Sequence, residues 1–350
     1  MQGSLDKIVD KVLKGGVHVV FRPLDVQLHG YYSKESLTLP MTGRRGRSIG
    51  LGVLEVVVES NSTSIDWRLK LNGISVTREF KPHYTVKYRD KIVSKFVYDV
   101  TSFLNVEESR ERDWVNLTVK YEGGEAFKLK KIQLISLYEE QYSTTDLRYQ
   151  TGILLLNPGE AFPLSDLSSR VPDAGVSELR VAGYVTKTSC RLSVAVDGVK
   201  HEFAGSSVEG FEEFVIPGAL GSSGSIASIM NEGVDGAVII SSILQYASLM
   251  SIPRLEVEDV SVKRLGEGLT VNVSLVNKGE APPDYIIYVV MDRGSILASH
   301  RVHIPLKPGE VFSKEIVIPR VPNSLRGVTV RIIWGRLARV WMTERSVDLN

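Results

Sequence analysis

Three features of this 350-residue sequence predict an all-β fold. The expected architecture is tandem β-sandwiches, two jelly-roll-like modules followed by one Ig-like module, with a short N-terminal helix. First, Leu269, Val271, Val273 and Leu275 alternate with Thr270, Asn272 and Ser274, so one strand face is buried and the other is wet. Second, short apolar runs are punctuated by tight-turn dipeptides such as Asn72-Gly73, the strongest two-residue hairpin signal. Third, one order of such signals occurs twice before residue 250.

Taken in order, Leu5, Ile8, Val9, Val12 and Leu13 sit at i, i+3, i+4, i+7 and i+8, which predicts a helix over 1–15. Ser4 would cap it and Gly15-Gly16 would end it. So short a helix needs a surface for its stripe. That makes Leu5, Ile8, Val9 and Val12 candidates for docking either on the protein itself or on a partner. The Asp residues among its Lys residues argue against a membrane-surface role.

Residues 16–142 read as the first sandwich. Val53–Val58 is a largely apolar strand. Trp67–Leu71 and Ile74–Phe80 flank the Asn72-Gly73 turn, and Tyr84–Tyr88 pairs with Ile92–Tyr98. A short helical turn is expected at Ser102–Leu104, and Phe127–Tyr138 closes the module. The polar stretch Glu139–Gln150 reads as a linker.

Residues 150–250 repeat this order. Leu71-Asn72-Gly73 answers to Val196-Asp197-Gly198, Arg78-Glu79-Phe80 to His201-Glu202-Phe203, Phe96-Val97-Tyr98 to Phe214-Val215-Ile216, and Ile132–Tyr138 to Val238–Tyr246. Four matches in one order predict a divergent duplication.

Residues 253–345 form the last module. Its strands follow Asn277-Lys278-Gly279, Asp292-Arg293-Gly294 and Lys307-Pro308-Gly309-Glu310 turns. The pieces Pro253-x-Leu255-x-Val257, Val273-x-Leu275-Val276-Asn277-x-Gly279, Asp292-x-Gly294 and Leu306-x-Pro308-Gly309-Glu310 resemble the CARDB family. These are Ig-like modules of archaeal and bacterial surface proteins. The resemblance implies adhesion, spacing or scaffolding and no catalytic residues. The first two modules are similar, more loosely, to jelly-roll modules of archaeal surface proteins and carbohydrate-binding domains.

Composition bounds the function. Lys+Arg is 42 against Asp+Glu 41, so nothing global points to nucleic acid or to an anionic membrane. A single cysteine, Cys190, excludes an internal disulfide framework. Met1–Lys14 has no apolar central region, which predicts a cytoplasmic chain unless a leader has been removed to leave it at the cell surface. No apolar run reaches the roughly 20 residues a membrane-spanning helix needs.

Chemistry is sparse. His300 and His303 fall on opposite faces of a strand and make a poor metal pair. No nucleophile elbow, Walker loop or dinucleotide fingerprint occurs, and no cofactor or metal is expected. Glu55 and Glu59 sit on one strand, but no carboxylate pair selects itself for glycoside hydrolysis. Arg44, Arg45 and Arg47, set among glycines, could grip a phosphate or an acidic partner. Trp67, Trp114, Trp334 and Trp341 are either core or sugar platforms. The expected function is therefore a non-enzymatic scaffold or adhesin-like protein that binds protein partners. The alternative is a carbohydrate-binding protein, or a weakly glycoside-active enzyme, using the tandem jelly rolls.

Overall fold

The computed structural model describes residues 1–44, 46–77, 81–164, 167–171, 174–187, 189–204, 210–219, 227–337 and 339–349. The chain forms two compact units, Met1–Met250 and Ser251–Asn350.

The first unit opens with β1 (Gln2–Lys14), β2 (Gly16–Leu28), β3 (Lys34–Pro40), β4 (Ile49–Ser60), β5 (Ile65–Leu71), β6 (Ile74–Thr77), β7 (Tyr84–Tyr88) and β8 (Lys91–Asp99). Single-turn helices α1 (Thr101–Leu104) and α2 (Glu107–Arg110) precede β9 (Trp114–Gly124) and β10 (Phe127–Tyr138). The sheet β2-β10-β4-β8-β7 faces the sheet β3-β9-β5-β6. Buried Trp67 on β5 bridges them, meeting the rings of Phe96 and Phe127 at 4.8 and 6.0 Å.

The unit continues with β11 (Ser143–Leu156), β12 (Ala161–Leu164), β13 (Val176–Val185), β14 (Arg191–Val196), β15 (Val199–Ala204), β16 (Gly210–Pro217), β17 (Ala227–Asn231) and β18 (Val238–Met250). Here β1-β11-β18-β13-β16 faces β12-β17-β14-β15 across a core that includes Leu179, Val181, Leu192, Val194, Ile229 and Ile240. The order β2-β10-β4-β8 is repeated by β11-β18-β13-β16, and β3-β9-β5-β6 by β12-β17-β14-β15. The paired turns match too: Asn72 and Gly73 have φ of 50° and 84°, Asp197 and Gly198 50° and 77°. Both positions need positive φ, which is why these residue types stand there. Of the matched segments, Arg78-Glu79-Phe80 lies outside the described residues.

Two expectations are corrected. The helix over 1–15 is instead the strand β1, paired along its length with β11. A bulge between Lys7 and Val9 resets the side-chain parity. Leu5 therefore packs on the core of the second sandwich, while Val9 and Leu13 turn to the other face. A strand with one extra residue thus imitates helical spacing. The ladder offered by β11 outweighs a helix that is marginal on its own. At Gly15 (φ +140°) the chain crosses from the second sandwich's sheet to the first's; a Cβ there would meet the Tyr138 carbonyl oxygen at 1.9 Å.

The linker expected over 139–150 is also mostly strand, because β11 begins at Ser143. Its polar residues are satisfied by partners. Buried Asp146 pairs with Arg148 and Arg170, and the Thr145 hydroxyl meets the Gly15 carbonyl at 2.6 Å and Ser248 at 2.8 Å.

The second unit holds β19 (Leu255–Leu265), β20 (Gly268–Asn277), β21 (Tyr285–Asp292), β22 (Ser295–Val302), β23 (Val311–Ile318), β24 (Gly327–Arg336) and β25 (Arg339–Asp348). The sheet β19-β20-β23 faces β22-β21-β24-β25 across a core that includes Val271, Val273, Ile286, Val290, Val330 and Trp334. The Asn277 side chain is buried and fully used. Its amide donates to Ala281 O and Leu306 O at 2.8 Å each, and its oxygen accepts from Arg254 N at 3.2 Å and Gly279 N at 2.9 Å. One side chain thus ties the incoming chain, the turn after β20 and the loop before β23. Asn277→Ala leaves these backbone groups unpaired and should cost about 3 kcal/mol, read as a lowered transition in calorimetry of the full chain. An unchanged transition would mean that water replaces the side chain.

Candidate functional site

The two five-stranded sheets of the first unit pack against each other, which makes four layers in all. On one side of the contact Val57, Val86 and Val93 meet Ile153, Leu155, Tyr184, Phe211 and Ile239. On the other, Val53 and Ile135 meet Leu147, Tyr149, Leu244 and Tyr246. Strands β4, β10 and β18 are consequently covered on both faces, which is why their sequences are apolar almost throughout. Three charged residues on the first sandwich's sheet nevertheless have no side-chain exposure: Glu55 on β4, Lys95 on β8 and Lys131 on β10.

Register brings them together. Glu55 lies opposite Gln133, and Val57, two residues on and on the same face, lies opposite both Lys131 and Lys95. Both lysines therefore flank Glu55 on the face turned toward the second sandwich. Glu55, Lys95 and Lys131 have side-chain exposures of 0%. Lys95 Nζ is 2.7 Å from Glu55 Oε1, and Lys131 Nζ is 2.8 Å from Oε2. The Tyr149 and Thr151 hydroxyls donate to Oε1 from β11. Lys131 spends its remaining protons on Gln133 Oε1 at 2.8 Å and Ser241 Oγ at 2.9 Å, and Lys95 also donates to the Ser241 carbonyl. Ser242 donates to Gln133 Oε1 at 2.9 Å. A bulge places both serines within reach: β13 passes from Ala182, opposite Ser242, to Gly183, opposite Ile240, so Ser241 is the extra residue. The Phe21 and Phe211 rings lie 5.8 Å from Lys131 Nζ.

Burial pushes the Glu55 carboxyl up, but the ammonium groups of Lys131 and Lys95 outweigh it and hold the pKa down to about 2. Burial lowers Lys95 to about 7 against the pull of Glu55, and it lowers Lys131 as well. The chemistry this permits is narrow. Glu55 has no exposure and is met by four donors of the protein itself, so no substrate proton is brought within its reach for general base work. Lys131 has all three protons engaged, and the group is sealed from solvent. The arrangement registers one sandwich on the other.

The residues singled out from sequence fall elsewhere. On β1, Val9 is buried and Ile8 and Val12 are 45% and 43% exposed, so they share no docking face. Arg44 is fully buried and donates to the Leu104 carbonyl. Arg47 donates to the Gly43 carbonyl and lies 3.7 Å from Glu140; Arg45 lies outside the described residues. Trp67 and Trp334 are core, whereas Trp114 is 37% exposed beneath the Arg112 guanidinium. The Glu55 cluster was legible as charges inside the apolar runs Val53–Val58, Val93–Tyr98 and Lys131–Tyr138. On doubly covered strands such charges must meet partners.

No protein-family model matches the chain, and no curated protein matches it. Among solved structures, a β-glucuronidase of Ruminococcus gnavus is 13% identical over 58% of this chain and 35% of its own, with a TM-score of 0.20. A putative β-galactosidase from Bacteroides fragilis is 10% identical over 61% and 33%, with a TM-score of 0.24. The chain thus spans about a third of the length of these structures, and likenesses at such scores carry no argument about its function.

Glu55→Gln removes the countercharge from two buried ammonium groups and should destabilise the first unit by about 3–5 kcal/mol. Replacing all three charges together, by Glu55→Leu, Lys95→Met and Lys131→Met, should recover most of that loss. Urea denaturation of both variants decides it, and a triple variant no more stable than the single one would contradict the reading. The pH dependence follows from the same groups. Lys95 binds its proton less tightly when folded, so between about 7 and its ordinary 10.5 the unfolded chain holds more protons, and this group's contribution to stability rises with pH. Glu55 contributes fully above its ordinary 4.5, and that contribution is lost as pH falls toward about 2. Urea midpoints from pH 7 to 10 should climb less steeply in Lys95→Met than in the parent.

Proposed function

We propose that this protein is a non-enzymatic β-scaffold that holds binding faces for a protein partner at fixed separation. The observation that carries the reading is the sealed polar cluster around Glu55. It commits Glu55, Lys95 and Lys131 to holding two sandwiches as one block, with the sheets β3-β9-β5-β6 and β12-β17-β14-β15 on its two outer sides. The resemblance of residues 253–343 to CARDB modules, which implies adhesion, spacing or scaffolding, supports the same reading. Spin labels at Thr38→Cys on β3 and Lys200→Cys on β15 report the separation directly. One narrow distance distribution is expected; a broad or two-peaked one would sink the fixed-spacing idea. Turnover of aryl glycosides by the full chain, abolished by a single carboxylate substitution, would overturn the non-enzymatic part.

A carbohydrate-binding reading has one observation in its favour. The outer sheet β3-β9-β5-β6 carries the hydroxyl and amide pairs Ser36–Thr118 at 3.2 Å and Thr38–Asn116 at 3.1 Å. Aromatic groups stand at the two ends of β9. Tyr31, edge-on to Tyr32, lies under Lys120 Nζ at 4.8 Å, and Trp114 carries Arg112 at 5.1 Å. Such rings stack on sugar faces. Affinity electrophoresis through polysaccharide gels should show retardation that falls about tenfold in Trp114→Ala if this face binds glycan, since one stacked ring contributes about 1–1.5 kcal/mol. Equal mobility of parent and variant in every gel removes the reading.

A further inference from the structure

The outer side of the sheet β3-β9-β5-β6 carries more positive charge than the fold requires. On β5, Ile65, Trp67, Leu69 and Leu71 are buried, which turns Asp66, Arg68 and Lys70 outward. On β9, Val115, Leu117 and Val119 are buried, which turns Trp114, Asn116, Thr118 and Lys120 outward. On β3, Lys34, Ser36 and Thr38 are exposed and alternate with Glu35, Leu37 and Leu39. Register then sets Lys34 opposite Lys120, and Lys120 opposite Arg68. Three cations thus stand in one row across three strands, about 10 Å wide. Like charges directly opposite one another destabilise a sheet. On this wet face other polar residues would serve the fold without that cost.

The carboxylates on this side do not cancel the row. Glu122 lies 3.1 Å from Lys120 Nζ and 3.6 Å from Arg68 Nε, so one carboxylate serves both. Asp66 is the other acidic residue turned outward on these three strands, since Glu35 alternates to the inner side. Lys34, Lys70, Lys120 and Arg68 therefore leave a surplus of two positive charges over Asp66 and Glu122. Among the described residues, no carboxylate pairs with Lys34 or Lys70.

Neutral polar groups and rings complete the face. Next to the cationic row stand Ser36 opposite Thr118, and then Thr38 opposite Asn116. The turn before β3 brings Tyr31 under Lys120, and Tyr31 and Tyr32 are 65% and 88% exposed. Tyr121 N donates to Ser33 O at 2.9 Å, which ties that turn to β9. Trp114 stands at the opposite end of β9, about 20 Å along the strand from Lys120.

We propose that this face binds a polyuronate, a polysaccharide whose sugar units carry carboxylates, laid along β9 with Lys34, Lys120, Arg68 and Lys70 meeting its acid groups. The proposal rests on the carbohydrate-binding reading of this sheet and names the class of glycan. Glu122 shows which group the row accepts, because a planar carboxylate already sits between Lys120 and Arg68. The guanidinium fork of Arg68 suits another of the same shape. Rings at both ends of β9 stack on sugar faces, and the hydroxyl and amide rows between them meet sugar hydroxyls. An acidic peptide would engage the cations and leave those rows and rings without a role.

Biolayer interferometry of the full chain over immobilised polygalacturonate, alginate and hyaluronate tests this. Methyl-esterified polygalacturonate, dextran sulfate and polyglutamate serve as comparisons. At least one polyuronate should bind more tightly than all three comparisons. Lys34→Gln should weaken that binding about tenfold, as loss of one charge-assisted hydrogen bond does, and Lys34→Gln with Lys70→Gln should weaken it further. The Tm of these variants should equal or exceed the parent's, because the substitutions relieve repulsion across the row. Weakened binding together with a lowered Tm would make the row structural and overturn the proposal. Equal binding of free and methyl-esterified polygalacturonate, sensitive to Trp114→Ala, would keep the glycan reading and overturn the acidic one. Dextran sulfate or polyglutamate bound as tightly as any polyuronate would also overturn it. Absence of binding to every polysaccharide would remove both readings.

Discussion

The meeting of Glu55 with Lys95 and Lys131 constrains everything around it in the first unit. A carboxylate with no exposure must be met by donors at close range, and here they come from both sandwiches: lysines from its own sheet, hydroxyls of Tyr149 and Thr151 from the facing one. Sliding either sheet by one residue would turn these groups away from each other and leave charges buried without partners. Apolar packing alone would hold the sheets together with less regard for register. The polar cluster makes one alignment far better than its neighbours.

That alignment depends in turn on local irregularities. The extra residue Ser241 lets two consecutive serines on β18 serve the cluster. The bulge on β1 lets one strand feed Leu5 to the core of the second sandwich and Val9 to the contact between sandwiches. Gly15 then hands the chain across, so β1 and β2 belong to different sandwiches while remaining consecutive in sequence. The N-terminal segment is therefore a strap across the four layers rather than an appendage.

The two polar centres of this unit differ in how completely they are satisfied. Around Glu55 both carboxylate oxygens accept lysine donors, and Lys131 has an acceptor for each of its three protons. Arg44 is as deeply buried, and its Nε and Nη1 have no hydrogen-bond partner among the described residues.

What the sequence determined by itself was whatever short-range chemistry controls. The all-β class, the Asn72-Gly73 and Asp197-Gly198 hairpins, the repeat of strand order and the strands of the last module were all readable, because alternation and positive-φ turns are properties of a few adjacent residues. The role of Asn277 was half readable: its Val-Asn-x-Gly setting marked a turn, but its reach to Leu306 did not show. Tertiary structure alone decided the rest. The spacing of Leu5, Val9 and Leu13 fits a helix and a bulged strand equally, and only the free edge of β11 chose between them. Residues 139–150 looked like a linker because they are polar, and they became strand because Asp146 found Arg170 and Arg148. Glu55, Lys95 and Lys131 are 40 and 36 residues apart in sequence, and nothing local says that they meet. The apolar runs around each said only that any charge there would need a partner; which partner was settled by sheet order and register.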